Sequence, residues 1–206
     1  MDVIVFPKGP LGSNMYAISS DNGYIIVDPS VSVSEPSVIR KLGDDFKSKI
    51  KAVLLTHAHF DHCACLDEWA LLAGSEIYMD PDDKPLLFDA SLNCSLHMGD
   101  RITFDTEVKS TEHDLELDGV KINVLKTPGH TPGSVCFLVD SESVMFTGDT
   151  LFSGSIGRSD LPLGDPNQLF KSLSYLKELR DDIVIYPGHG FYSKIALEKK
   201  HNPYLC

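Results

Sequence analysis

The segment that directly follows the apolar run Ile50–Leu55 concentrates residues that could hold metal ions. It contains three histidines and one aspartate within six positions. Side chains two residues apart in an extended segment point the same way, so His57 and His59 can share one ion. Asp61 and His62 lie where the chain turns into a helix, and this displacement lets them serve a second ion. The segment therefore predicts a metal centre of two ions.

Three further turns of the chain each offer one ligand at the end of a predicted strand. These residues, each beside a glycine, are His130, Asp149 and His189. Any one of them alone would more often be an ordinary turn residue. If the strands run in a common sense, however, their ends meet at one rim, and the neighbouring glycines and prolines hold each side chain on a stiff turn. Together with the histidine-rich segment, these turns predict a seven-residue ligand set.

Short runs rich in β-branched and aromatic residues, bounded by turn residues, predict the strands that must position these ligands. The predicted strands are Asp2–Pro7, Met15–Ser19, Tyr24–Asp28, Ile50–Leu55, Glu76–Tyr78, Val120–Lys126, Val135–Val139, Ser143–Phe146 and Ile183–Tyr186. Hairpin turns at Asp21–Gly23 and Asp140–Glu142 predict that parts of the sheets are antiparallel.

Helices are predicted between these strands. A capping aspartate, a proline in the first turn and an apolar stripe at helical spacing predict a helix from Pro166. A shorter helix, Leu66–Ala73, should stop at Gly74, and Pro36–Lys47 is a third. The segment Lys84–Gly99 has no clean period and is either a helical excursion or a loop over the site. Strand meanders with inserted helices predict sheets packed on each other with helices outside, an α/β (α+β) fold with αββα layers.

Composition limits the classes of protein and partner. A chain of 206 residues with 42% hydrophobic residues can bury a substantial core, and we expect one domain over residues 1–206. The net charge of -12, without a basic stripe, disfavours nucleic acid as a partner. The apolar stretch before Pro7 is too short for a signal peptide or a membrane span. Five cysteines without a CxxC pair are typical of free thiols in a reducing cytoplasm, so we expect a cytoplasmic protein without membrane association.

The motifs resemble those of the metallo-β-lactamase superfamily in type and in order, over nearly the whole chain. The resemblance implies the four-layer αββα sandwich of that family and two divalent metal ions. It implies one ion on His57, His59 and His130, a second on Asp61, His62 and His189, and Asp149 as the bridge between them. Such nitrogen and carboxylate ligands suit zinc, and they also accept iron or manganese.

Within the superfamily, the glyoxalase II-like branch (hydroxyacylglutathione hydrolases) is the most similar. The similarity lies in residues 127–134, in the run Gly148–Pro162 and in the ending Asn202-Pro203-Tyr204. Glyoxalase II cleaves the thioester of lactoylglutathione and continues after its last metal histidine into a helical domain that contacts glutathione. Here only residues 190–206 follow His189, so the chain resembles the short, single-domain members. The resemblance implies a small-molecule thioester substrate and leaves the acyl group and the thiol carrier open.

The expected reaction is the attack of a metal-bridging hydroxide on the thioester carbonyl. Two close divalent ions lower the pKa of a shared water to near neutrality, and Asp61 can orient the hydroxide as well as bind metal. A thiolate leaves readily because its conjugate acid has a pKa of about 8.5, so no strong general acid is needed. Arg158, on a glycine-rich turn, either binds a substrate carboxylate or forms a salt bridge that ties its loop to the body. His97, His113 and His201 fall outside the strand-end pattern and are expected on the surface.

Two alternatives to a thioester hydrolase stay open. A related branch, the persulfide dioxygenases, keeps the same motifs but uses a single iron on the residues that correspond to His57, His130 and Asp149. Its members differ in the loop after the bridging aspartate, and Gly154–Pro162 fits the hydrolases better. Other hydrolases of the fold act on esters, lactones, lactams or phosphodiesters. A metal-binding module without catalysis is disfavoured because every ligand position is filled.

Overall fold

Two six-stranded sheets form the body of the protein in a computed structural model that describes residues 1–74 and 76–205. The first sheet has the order β1 to β6: Val3–Phe6, Met15–Ser19, Tyr24–Val27, Ile50–Leu54, Ile77–Met79 and Lys109–Ser110. The second sheet begins with β7 to β10: Leu115–Leu117, Val120–Lys126, Val135–Val139 and Val144–Gly148. It is completed by β13 (Val184–Pro187) and β14 (Ser193–Lys194), whereas β11 (Leu151–Phe152) and β12 (Ser155–Ile156) form a small separate hairpin.

Helices cover the outer face of each sheet. Against the first sheet lie α1 (Pro36–Leu42), α2 (Phe60–Cys63), α3 (Leu66–Ala73) and α4 (Lys84–Phe88). Against the second lie α5 (Pro166–Lys177) and α6 (Ile195–His201). The fold is therefore the predicted αββα sandwich. Among the described residues, none of these helices combines the length and the apolar character needed to cross a bilayer.

The alternation of side chains along β3 shows how the layers form. Ile25 is buried between the two sheets together with Phe137 and Phe146 of the second sheet. Its neighbour Ile26 points to the opposite face and packs in the cluster that contains Trp69 of α3. A sheet that is covered by other layers on both sides needs two apolar faces. This explains the continuous apolar run of β3.

All nine predicted strands are present, with ends that differ from the predicted ones by at most two residues. The hairpins predicted at 21–23 and 140–142 are present as antiparallel pairs. The prediction of a helix over Pro36–Lys47 is wrong in its second half. The helix ends at Leu42 because Gly43 adopts a φ of 89°, and a separate 3-10 turn follows at Phe46–Lys49.

The directions of three strands decide where the candidate ligands lie. Strands β8 and β10 are each antiparallel to β9, and β10 is parallel to β13. All three therefore run in one sense and end at one edge of the second sheet. The end of β4 reaches the same edge, since the amide of Val135 donates to the carbonyl of Thr56 over 2.9 Å. The common rim expected from the sequence is confirmed.

Candidate metal centre

The seven candidate ligands lie together at this rim, in three overlapping groups of potential ligand atoms. Within each group the atoms are within 4.8 Å of one another. The groups are His57–His59–His130, Asp61–His62–His189 and His57–His62–Asp149. The first two groups are the two sets that the family resemblance implies. Asp149 combines with one residue from each, which is the place of a bridging ligand.

Distances within the groups show how closely the ring nitrogens converge. Nδ1 of His59 lies 2.9 Å from Nε2 of His130, and Nε2 of His62 lies 3.3 Å from Nε2 of His189. The Asp149 carboxylate approaches both groups: Oδ1 is 3.2 Å from Nε2 of His62, and Oδ2 is 3.6 Å from Nε2 of His130. Oδ2 of Asp61 is 3.1 Å from Nε2 of His189.

The residues fit divalent cations by the chemistry of the groups they present. Nε2 of His57 and Nε2 of His59 are buried and have no hydrogen-bond partner. A buried polar atom without a partner is costly, and a cation that accepts both lone pairs removes that cost. Imidazole nitrogens and carboxylates without a thiolate suit zinc, iron or manganese. The site thus offers the donors that the family uses for divalent metals.

Burial and neighbouring charges keep His57, His59 and Asp149 in the deprotonated forms that bind metal. Burial, with the neighbouring imidazoles, holds the pKa of His57 well below its usual range and lowers the pKa of His59 to about 3. Their lone pairs are therefore free at neutral pH. Although burial opposes it, His62 holds the pKa of Asp149 well below its usual range, so this carboxylate is ionised.

Asp28, which the sequence reasoning missed, supports the centre from behind. It lies directly after β3 with its side chain buried and accepts from Nδ1 of His62 over 2.9 Å. It also accepts from the amide and the hydroxyl of Thr56, each over 2.8 Å, and that hydroxyl lies 3.1 Å from Nδ1 of His57. A carboxylate of this kind fixes the orientation of metal-binding imidazoles. The signal was available, because Asp28-Pro29 is another acidic strand end.

The loop after Asp149 holds a second support. The backbone carbonyl of Arg158 accepts a hydrogen bond of 2.7 Å from Nδ1 of His130, which turns Nε2 of that ring toward the centre. Gly157 makes this approach feasible, since a Cβ there would collide with the backbone oxygen of Asp149. At Gly188, a Cβ would collide with the Asp149 carboxylate and the His62 ring. These two glycines are required by close contact.

A cavity of about 870 Å³ opens onto the centre. Its walls are largely apolar: Leu11, Phe60, Met98, Phe152, Ile156, Leu161 and Pro162. The segment Lys84–Gly99 supplies both structures that the sequence allowed, a helix at Lys84–Phe88 and a loop that brings Cys94 and His97 to the cavity. His97 is exposed, as expected, but it also lines the cavity, a position that its sequence context did not indicate.

Arg158 forms a salt bridge, but not the expected one that would tie its loop to the body of the protein. Its side chain lines the cavity, and its guanidinium donates two hydrogen bonds to Asp160, of 2.7 and 2.8 Å. Both side chains of this pair are more than half exposed. The salt bridge is therefore present within the loop, and the positive charge at the cavity wall carries its own counterion.

Comparisons of sequence and of structure with known proteins agree on one family. The model of the metallo-beta-lactamase superfamily matches residues 9–189. The hydroxyacylglutathione hydrolase GloC of Haemophilus influenzae is 33% identical over 100% of this chain and 98% of its own length. The crystal structure of the BLEG-1 B3 metallo-beta-lactamase is similar with a TM-score of 0.89, 33% identity and 99% coverage of both chains. That of TTHA1623 in a di-iron-bound form has a TM-score of 0.85, 35% identity and coverage of 98% of this chain and 100% of that one. With its fold, its ligand cluster and these matches, the chain belongs to the metallo-β-lactamase superfamily.

Proposed function

We propose that this protein is a metal-dependent thioester hydrolase that uses two divalent ions. The observation that carries the proposal is the geometry of Asp149, whose carboxylate lies within 3.6 Å of imidazole nitrogens of both ligand groups and lines the cavity. Two divalent ions held by these residues would supply hydroxide at neutral pH and polarise a carbonyl. The similarity to GloC, which is named as a hydroxyacylglutathione hydrolase, supports a thioester as the substrate.

The residues of the chain contribute position, polarity and exclusion of water. Asp61 lines the cavity and is largely buried, so its carboxylate is placed to accept a proton from the attacking water and to orient it. The apolar wall, which includes Phe152 and Leu161, strengthens electrostatic interactions by displacing solvent. The leaving thiolate needs no strong general acid, because a thiol pKa of about 8.5 makes it a good leaving group.

The metal in the functional protein is proposed to be zinc. The ligands suit zinc, but the di-iron form of TTHA1623, which is 35% identical, shows that a related chain holds iron. Elemental analysis of purified protein, read together with activity after reconstitution with each metal, assigns the functional ion. We further propose a small molecule as the partner, since the net charge of -12 opposes polyanionic ligands.

The test of the proposed function is a panel of thioesters assayed alongside oxygen consumption, on protein of known metal content. We expect thioester hydrolysis without oxygen uptake, and its loss in Asp149→Ala, which lacks the bridge. Oxygen uptake with a persulfide substrate and one iron per chain would instead identify a dioxygenase. Because the persulfide dioxygenases keep the same motifs, the ligand groups alone do not separate the two enzymes, and the hydrolase is favoured by the loop Gly154–Pro162.

The carrier of the thioester is a second question for the same panel. Binding energy from remote parts of the substrate distinguishes a dedicated carrier site from a permissive one. Among the described residues that line the cavity, Arg158 is the one Lys or Arg side chain that could bind a carboxylate of the carrier. Its guanidinium is already paired with Asp160. We expect kcat/KM for lactoylglutathione to exceed that for a truncated thioester of the same acyl group by less than about a hundredfold, or about 2.7 kcal/mol. A much larger ratio would reveal a glutathione site elsewhere.

A β-lactam is the second candidate substrate. It is favoured by the TM-score of 0.89 and 33% identity to the BLEG-1 B3 metallo-beta-lactamase. Both substrates present a carbonyl to hydroxide, so the metal centre alone does not separate them. Including a penicillin and a cephalosporin in the panel separates them by the ratio of kcat/KM values, and we expect the thioester to be preferred.

A further inference from the structure

A buried carboxylate outside the ligand set joins two of the ligand loops. Asp83 ends the 3-10 turn Pro81–Asp83 directly before α4, and its side chain is fully buried. Oδ2 accepts from the amide of Ala58 over 2.9 Å and from the hydroxyl of Thr131 over 2.8 Å. Oδ1 accepts from the amide of Gly133 over 2.6 Å. One side chain thus satisfies donors on two separate loops.

The donors to Asp83 lie next to candidate metal ligands in the sequence. Ala58 lies between His57 and His59, and Thr131 directly follows His130. These three histidines are the whole of the first ligand group, yet they come from loops 71 residues apart in sequence. The carboxylate therefore holds the two halves of that group at a fixed separation without touching a ligand itself.

The second ligand group is held by other contacts. Asp28 orients His62, and the side-chain amide of Asn14 donates to the carbonyls of Pro187 and Gly190 on either side of His189. The hydrogen bonds of Asp83 in the described structure reach neither the Asp61–His62 turn nor the His189 loop. Asp28 also reaches the first group, since it accepts from Thr56 beside His57, whereas the hydrogen bonds of Asp83 reach the first group alone.

The loop that contains Gly133 packs very closely against Asp83. A Cβ at Gly133 would lie 2.6 Å from the backbone nitrogen and 2.8 Å from the carboxylate of Asp83, so only glycine permits this approach. Burying a carboxylate is costly, and burial raises the pKa of Asp83 to about 6 in spite of its three donors. An amide in its place presents one acceptor oxygen where the carboxylate presents two, and it leaves a donor unmatched.

We propose that Asp83 is a positioning residue that sets the metal affinity of the His57–His59–His130 group selectively, leaving the Asp61–His62–His189 group unaffected. The inference concerns metal binding and does not depend on which substrate the enzyme hydrolyses. Loss of an outer-shell partner typically lowers metal affinity tenfold to a hundredfold. Because Asp83 acts through the backbone and a hydroxyl, we place the expected effect near tenfold.

Zinc titration of metal-free protein against a chelator of known affinity tests this selectivity. In Asp83→Asn we expect one of the two binding steps to weaken about tenfold while the other stays within about threefold of the wild type. Gly133→Ala should act in the same direction, since it displaces the same contact. The matched control is Asp80→Asn, which alters a buried carboxylate in the same turn that contacts Asp82 and Lys126 rather than a ligand loop. It should leave both steps unchanged.

A variant that lacks part of the second ligand group shows which group the weakened binding step belongs to. In His189→Ala, which retains the first group intact, adding Asp83→Asn should still weaken the remaining zinc by about tenfold. Thermal unfolding of the metal-free proteins separates this effect from general destabilisation, and Thr131→Val, which removes a single donor, provides a milder variant for the same titration. Equal weakening of both steps in Asp83→Asn, or no weakening of either, would overturn the proposal.

Discussion

At the scale of single residues, the positive charge of Arg158 at the cavity wall is balanced by a residue of the same loop. Arg158 and Asp160 are two residues apart, and the carboxylate engages the guanidinium through two hydrogen bonds. A guanidinium engaged in this way attracts an anionic substrate less strongly than a free one. The sequence singled out Arg158 but not its counterion, because nothing in the spacing of the two residues indicates that their side chains turn toward each other.

Asp160→Asn should therefore change selectivity rather than overall activity. Freeing Arg158 should raise kcat/KM for a thioester that carries a carboxylate about threefold relative to a neutral analogue, a modest effect because both side chains are exposed. The ratio of the two kcat/KM values, measured at low and at high ionic strength, is the readout, and the gain should shrink with salt. In an Arg158→Ala background the same substitution should have no effect. A gain that survives in that background would show that Asp160 acts through its own charge.

At the scale of elements, the two sheets are also tied at the β2–β3 and β7–β8 hairpins. Asp118, in the β7–β8 turn, accepts hydrogen bonds from the side chains of Ser20 and Asn22 and from the amide of Asn22 in the β2–β3 turn. These donors lower the pKa of Asp118 to about 2. Because this pKa is depressed in the folded protein, the contact stabilises above the ordinary pKa near 4 and loses its effect as pH falls toward 2.

The pH dependence of stability should reveal this contact. Asp118→Asn preserves the size of the side chain and tolerates the backbone φ of 43°, but it lacks the charge. We expect the variant to melt a few degrees below the wild type at pH 7, and the difference to narrow as pH falls from about 4 toward 2. Thermal unfolding across this range is the measurement. A constant difference at every pH would mean that shape rather than charge is responsible.

The elements that sequence predicts well here are those with local causes. Strands such as β3 and β10 have continuous apolar runs, and α5 has its own cap in Asp165, whose side chain accepts from the amides of Asn167 and Gln168. The strands that were missed, such as β6 and β14, are two residues long and exist because a neighbouring strand pairs with them. The contact partners of Asp28 and Asp83 are likewise distant in sequence, so only the folded chain shows them.

At the scale of the whole molecule, the candidate ligands come from both sheets. His57 and His59 follow β4 of the first sheet, whereas His130 follows β8 of the second. A bound ion therefore adds contacts that the unfolded chain lacks, and stability should rise with metal occupancy.

Removal of metal should consequently lower the melting temperature. At a free metal concentration a thousandfold above the dissociation constant, one site contributes about 4 kcal/mol, which for a chain of this length corresponds to roughly ten degrees. We expect about two ions per chain, loss of activity on chelation, and recovery of both properties when zinc is restored. Scanning calorimetry with parallel elemental analysis checks this. Unchanged melting after complete metal removal would show that the ligand loops are held by the protein alone.

The order of the strands along the chain has a consequence for how the protein could be divided. All strands of the first sheet precede residue 111, and all strands of the second follow residue 114. Each ligand group draws on both sides of that point, with His57, His59, Asp61 and His62 before it and His130, Asp149 and His189 after it. If the chain were cut in this connection, each fragment would carry an incomplete set of ligands. Metal-dependent activity would then appear only when the two fragments reassemble. The interface between the fragments would contain the metal centre.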